Sequence, residues 1–290
     1  MPAADKKAEF RTFILPCAER GGVRRFSAEY LEHTRRGMWA DGREALADLE
    51  LAGRRRVLDV GCGTGELTRV LDAEAPPDAT VIGVDADPDL LRVAREETGL
   101  PYVAGDATRL PVPDGAVDLA VCQALLINLP EPTAAVRELA RVSSDLVAAI
   151  EPDNAAVTVT STVDAEERLE REAREAYLQG VDTDVALGDR VREAFAAAGV
   201  GEIRTRRYVH EKRVAAPYAE PALTAAARKA SGAGLADHRE ELIAATSESA
   251  YDDLRRRWRE MGREVVDAIG DDEYERVERV PFDVTVGRVE

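Results

Sequence analysis

The pattern of apolar and polar positions changes period repeatedly along the 290 residues, and each change marks an element. "RVLDVG" is a short apolar strand; in "ELTRVLDAEA", Leu67, Val70 and Leu71 fall at helical spacing before Pro76 and Pro77 stop the helix. "TVIGVD" is the next β-branched run. Asp87 as N-cap and Pro88 at the first helical position then predict a helix through "PDLLRVAREET", ending at Gly99. A strand "PYVAGD", a turn through "PVPDG", a strand "VDLAVCQ" and a helix "PTAAVRELARV" follow. Val136, Leu139, Ala140 and Val142 share one face of that helix, and "DLVAAIEP" is the fifth strand. Strands separated by helices or crossovers predict an α/β architecture with a parallel sheet covered on both faces.

Beyond residue 155 the pattern is less regular. "STVDAEERLEREAREAYLQG" and "GDRVREAFAAAGVG" read as helices, and "EIRTRRYVHEKRV" has strand character. Residues 221–270 are helical again, with Leu254, Trp258, Met261, Val265 and Ile269 in one apolar stripe, and "RVPFDVTVGRV" is a final strand. The stripe is either core packing or a roof over a site.

Composition narrows the setting. No run approaches the ~20 apolar residues that cross a bilayer, and the early patch "FILPCA" is too short for a signal-peptide core. Cys17, Cys62 and Cys122 are too few and scattered for a disulfide framework or a zinc site, so no metal is expected and a reducing cytoplasm is the simplest location. Acidic residues outnumber basic ones 56 to 39, a net charge of −17, and only four of the basic residues are lysines. That balance resembles proteins adapted to molar salt, where a Debye length of ~3 Å screens self-repulsion, or else is merely the acidic product of a GC-rich genome. Either way the field opposes nucleic acid, which needs a basic footprint, and the clusters "RRR" (54–56) and "RRRWR" (255–259) read as solvated faces.

The candidate chemistry starts at "RRVLDVGCGTGELT". Gly61, Gly63 and Gly65 form a turn between strand and helix, but a dinucleotide fingerprint wants its third glycine where Glu66 stands. A carboxylate in the first helical turn opposes a pyrophosphate, which disfavours a nicotinamide dehydrogenase and favours a ligand without phosphate. Asp85 ends the second strand, where a carboxylate can accept from both hydroxyls of a ribose, and Asp106 ends the third, placed to accept from an exocyclic amine. Asp59, in the first strand, is close enough to orient the turn and to favour an ammonium group. Each acid alone is commonly a turn or capping residue; their joint spacing carries the argument.

Four stretches, "VLDVGCGTGELT", "VIGVDADPDLL", "VAGDATRLPVPDGAVDLAVCQALL" and "LPEPTAAVRELARV", resemble the successive motifs of class I S-adenosylmethionine-dependent methyltransferases, over about residues 55 to 153. Residues 187–210 and 280–290 are compatible with that family's later helix and closing antiparallel strands. The resemblance implies a Rossmann-like, seven-stranded, mostly parallel sheet with helices on both faces, and S-adenosylmethionine as cofactor. It implies that the backbone at Gly61, Cys62, Gly63 and Gly65 lies against the methionine part of the cofactor. Asp85 would then hold the ribose, Ala86 border the adenine, Asp106 with Ala107 read it, and Gln123 lie near the methionine part of the cofactor and the substrate mouth. On this division residues 1–55 are an N-terminal helical lid and 56–214 the cofactor-binding core. Residues 215–275 are a helical insertion covering the substrate side, and 276–290 the strand that completes the core.

The same resemblance sorts the acceptors. "CQALLIN" stands where amine-methylating nucleic-acid enzymes carry an Asn/Asp-Pro-Pro-Tyr-type motif, and Cys122, preceded by valine in an apolar strand, reads like Cys62 as a small core or turn residue. A small-molecule acceptor is therefore expected, with neither nucleic acid nor membrane as partner; monomer and homodimer stay open. "LPVPDGAVDLAVCQALL" looks like the quinone and small-metabolite branch of the family. The expected function is methyl transfer in line to an O, N, S or C nucleophile; the alternative is an inactive cofactor-binding or regulatory protein. No catalytic base stands out. Tyr30 and His33 in the lid, Gln123, and Glu151 at the crevice rim are the candidates near the acceptor, with His210 and His238 more distant. Asn154 is either a rim residue or a cap of the next helix.

Overall fold

A computed structural model describes residues 31, 38–39 and 42–289 of the chain. The lid candidates Tyr30 and His33, and Cys17, lie outside the described residues. Eight strands form one sheet: β1 (Arg56–Val60), β2 (Thr80–Asp85), β3 (Tyr102–Ala104), β4 (Val117–Gln123), β5 (Ser143–Pro152), β6 (Thr158–Ser161), β7 (Gly201–Val214) and β8 (Arg276–Arg288). Their order is β3-β2-β1-β4-β5-β8-β6, with β7 also paired to β8. The first five are mutually parallel, and β8 runs antiparallel to β5, β6 and β7.

The helices are α1 (Glu66–Glu74), α2 (Pro88–Thr98), α3 (Pro132–Val142), α4 (Asp164–Gly180), α5 (Arg190–Ala197), α6 (Glu220–Ser231), α7 (Ala233–Ala236), α8 (Arg239–Ala245) and α9 (Glu248–Gly270). Asp87 caps α2 as its sequence position predicts, accepting from the Asp89 and Leu90 N–H groups, and Gly99 ends the helix in a left-handed conformation.

The parallel strands are apolar at nearly every position because both faces are covered. Ala120 and Cys122 of β4 and Val147 and Ala149 of β5 pack on one side with α3 and α5. Their neighbours Leu119, Val121, Leu146, Ala148 and Ile150 pack on the other with α1 and the 3₁₀ turns at Arg43–Leu49 and Leu51–Gly53. A third core is separate. Leu169, Ala173 and Ala176 of α4 pack with Ala226, Leu242, Leu254, Trp258, Met261 and Val265 of α6, α8 and α9.

Two expectations change here. The sheet has eight strands rather than seven, because the four-residue β6 adds to the start of β8, at Arg276–Arg279. The helical layer also draws on both sides of the boundary expected at residue 214, since α4 belongs to it. Glu166 of α4, fully buried, fixes that layer to the sheet: it pairs with Lys229 and accepts from Ser161 Oγ at 2.5 Å and Tyr274 Oη at 3.0 Å. Burial opposes the charge of the adjacent Glu170, but Lys229 and Arg276 outweigh it and hold that carboxyl below its usual range.

Candidate active site

The strand-to-helix turn after β1 carries its three glycines at φ 72° (Gly61), 55° (Gly63) and 83° (Gly65), the left-handed region that side chains avoid. Close packing adds a second constraint. A Cβ on Gly65 would stand 2.2 Å from Tyr102 Oη, and one on Gly61 2.8 Å from Leu125 Cδ1. The Gly61 and Cys62 N–H groups both donate to the Val84 carbonyl, at 2.7 and 3.0 Å.

Asp85 is built into the turn. Its Oδ2 accepts from the Gly63 N–H at 2.8 Å and its Oδ1 from the Asp87 N–H at 2.9 Å. The Gly105 N–H donates to the Asp85 carbonyl at 3.0 Å, which sets the end of β3, and with it Asp106, beside the end of β2. Asp106 is exposed, and its Oδ1 accepts from the Thr108 N–H and Oγ1 at 2.8 and 2.7 Å. Ala86 is exposed next to Asp85, while Ala107 packs on the first core. Asp59 is buried and accepts from Thr68 Oγ1 at 2.6 Å, fastening α1 to β1. Cys62 and Cys122 are both buried thiols, and burial with the neighbouring Glu151 charge pushes Cys122 well up.

The candidates nearest the acceptor separate. Gln123 ends β4 at 2% exposure; its Nε2 donates to Met38 Sδ at 3.0 Å, and its Oε1 has no hydrogen-bond partner among the described residues. Glu151 is not at the rim. At 2% exposure it lies beneath the segment after β4, accepting from the Leu125 and Leu126 N–H groups at 3.0 Å each and from Ile127 at 3.4 Å. Asn154 caps no helix: its Nδ2 donates to the Val185 carbonyl at 2.6 Å. His238 precedes α8 and meets Tyr177 edge-on at 4.8 Å.

Beyond Gln123 opens a cavity of about 310 Å³. Its walls include Gln123 and Asn128, its floor His210 and Lys212 of β7 with Glu278, Val280 and Phe282 of β8, and its roof Arg174, Tyr177 and Leu178 of α4. The apolar stripe of α9 lines none of it and belongs to the third core. Sequence reading missed Asn128, Arg174 and Lys212 altogether; the signal for Lys212 was its alternation with His210 on one face of β7. A larger, more open hollow of about 580 Å³ lies before β1, but Arg54 and Asp145 there are paired with each other. Open α/β sheets bind ligands at the opposite, carboxyl ends of the strands.

A family model described as a methyltransferase domain matches residues 58–145. A demethylmenaquinone methyltransferase of Lactiplantibacillus plantarum is 34% identical over 107 residues, covering 34% of this chain and 45% of its own length. One of the same name from Deinococcus radiodurans is 35% identical over 105 residues, covering 34% and 43%. The chain thus spans less than half the length of these curated relatives. A crystal structure from Bacillus halodurans, named provisionally as a methyltransferase, shares the fold over 86% of this chain and 98% of its own, with a TM-score of 0.51 and 15% identity. No helix among the described residues is long and apolar enough to cross a membrane. Over residues 58–145 the chain matches the model of a methyltransferase domain, and within that stretch the glycine turn is locked to the carboxylate that ends β2.

Proposed function

We propose that the chain transfers a methyl group from S-adenosylmethionine to a small-molecule acceptor bound in the cavity beyond Gln123. The observation that carries this reading is the hydrogen bond from Gly63 to Asp85, which fixes the glycine turn against a carboxylate at the strand ends. The residues fit the cofactor. The turn holds Gly61, Gly63 and Gly65 at positive φ, and Glu66 in the first turn of α1 suits a ligand without phosphate. Asp85 would hold the ribose hydroxyls, Asp106 and Ala107 the adenine, and Asp59 the charge balance around an ammonium group.

When bound, the cofactor supplies an activated methyl group on a sulfonium. The remaining work falls to the chain: it orients the acceptor, excludes water and takes up a proton where the acceptor must lose one. Orientation alone supplies ~7–11 kcal/mol of such a barrier. His210 lines the cavity; its Nε2 is buried with no hydrogen-bond partner among the described residues, and burial together with Lys212 pushes its pKa down. A neutral imidazole there suits a general base.

Calorimetry with S-adenosylhomocysteine tests the reading. The wild-type chain is expected to bind, and Asp85→Ala to lose at least tenfold in affinity while keeping its far-ultraviolet spectrum. No binding by the wild type refutes the function; an unchanged variant removes Asp85 from the site.

A further inference from the structure

We propose that the acceptor is a small organic anion, its acidic group held between Arg174 and Lys212 and its hydroxyl or amine received by Gln123 and Asn128. This rests on the methyl-transfer reading and adds the chemical class of the second substrate.

The acceptor end follows from two amides. Gln123 and Asn128 are 2% and 7% exposed. Each nitrogen makes one hydrogen bond, to Met38 Sδ and to the Ala124 carbonyl at 2.8 Å. Their oxygens, Oε1 and Oδ1, have no partner among the described residues. The Asn128 contact with a carbonyl fixes which of its ends is nitrogen, so its unsatisfied group is an acceptor. A buried, unpaired acceptor is costly, and a ligand O–H or N–H satisfies it. Such a donor is also what a methyl acceptor carries at its reacting atom.

The opposite end is cationic. On β7 and β8, Lys212 stands in register with Glu278 and His210 with Val280. Glu278 already accepts from Arg276 Nη1 at 3.3 Å. Among the described residues neither Lys212 nor Arg174 has a carboxylate within 4.0 Å; Arg174 instead donates to the Val157 carbonyl at 2.9 Å. Two cations thus face one carboxylate across the cavity, in a chain whose net charge is −17. Burial pushes the pKa of both cations down, against the pull of Glu278 on each and of Glu170 on Arg174. An anionic group on the ligand adds a direct partner for both. At about 310 Å³ the cavity is at the small end for ligand sites, which fits a compact molecule.

The test uses the full chain saturated with S-adenosylhomocysteine at one fixed salt concentration, titrated with acids and their neutral amides. The pairs are lactate and lactamide, 3-hydroxybutyrate and its amide, β-alanine and its amide, and salicylate and salicylamide. At least one acid is expected to bind tenfold or more tightly than its amide. Lys212→Met and Arg174→Gln should each erase that preference while keeping S-adenosylhomocysteine affinity within twofold. For the preferred acid, Asn128→Ala should weaken the hydroxylated or aminated form more than the analogue lacking that group. Acids and amides that bind equally, or not at all, overturn the proposal, as does a preference that survives both cation variants. Failure of the wild type to bind S-adenosylhomocysteine is a different result, and it overturns the methyl-transfer reading itself.

Discussion

Replacing Glu151 by glutamine removes a charge from beneath the segment that carries Asn128 and leaves the side-chain shape almost unchanged. One carboxylate oxygen accepts two backbone N–H groups at 3.0 Å and the other accepts a third at 3.4 Å. A hydrogen bond to a charged acceptor contributes about 1.5–3 kcal/mol and one to a neutral acceptor about 0.5–1.5, so neutralising the two short bonds costs about 2 kcal/mol. In that orientation the glutamine NH₂ also faces the Ile127 N–H donor to donor, which adds about 1 kcal/mol for a weak, long contact. The flipped amide is worse, since it opposes two donors instead of one. The expected loss is therefore about 3 kcal/mol, a substantial part of the ~5–15 kcal/mol that stabilises a typical domain. Urea titration at fixed salt measures it as a lower midpoint with an unchanged slope. A loss below about 1 kcal/mol refutes the assignment of Glu151 to anchoring, and would return it to the candidates for acceptor chemistry.

Two further outcomes follow from the same contacts. Gly65→Ala places a Cβ at φ 83° and against Tyr102 Oη, which is itself bonded to Thr98 Oγ1 at 2.9 Å. The conformation costs about 1–2 kcal/mol and the overlap a further ~1–3; a cycle with Tyr102→Ala should show coupling above about 1 kcal/mol, and additive losses would sink the steric argument. His210 has its pKa lowered by burial and by Lys212. Below the ordinary histidine value of 6.5 the unfolded chain therefore binds the proton better than the folded one, and stability falls as pH drops through 6.5 toward the lower folded value. His210→Gln should flatten the urea midpoint between about pH 8 and 5, and an identical slope in both proteins would show that His210 is not perturbed.

The legible parts of this molecule are those whose cause is local. Asp87 caps its helix, Gly99 ends it, and the three glycines adopt the backbone that only glycine holds without strain, all from neighbours within a few residues. Asp85 ends β2 as the run "TVIGVD" predicts, whereas β3 stops at Ala104, two residues short of Asp106. What escaped depends on distant partners. Glu151 read as a rim acid because nothing beside it in sequence shows that the backbone of residues 125–127 folds over it. Arg174 sits in "EAREAY", a run that reads as a solvated helix face, and only packing of α4 under α6, α8 and α9 turns it toward the cavity. The strand β6 is four residues long, too short for its periodicity to speak.

The pairing of β8 with β5, β6 and β7 has a consequence for how the protein is made. Every strand that β8 joins precedes it on the ribosome. From Pro152 to its partner Phe282 the chain advances 130 positions, so at ~5–20 residues per second β5 waits roughly 7–26 s with one hydrogen-bonding edge open. All of β5 from Leu146 to Ile150 is fully buried in the finished sheet. For that interval the nascent chain displays an apolar edge that invites pairing with another chain. The floor of the cavity beyond Gln123, at Glu278, Val280 and Phe282, is laid in the same late step, so that cavity is completed only as the open edge of β5 is closed.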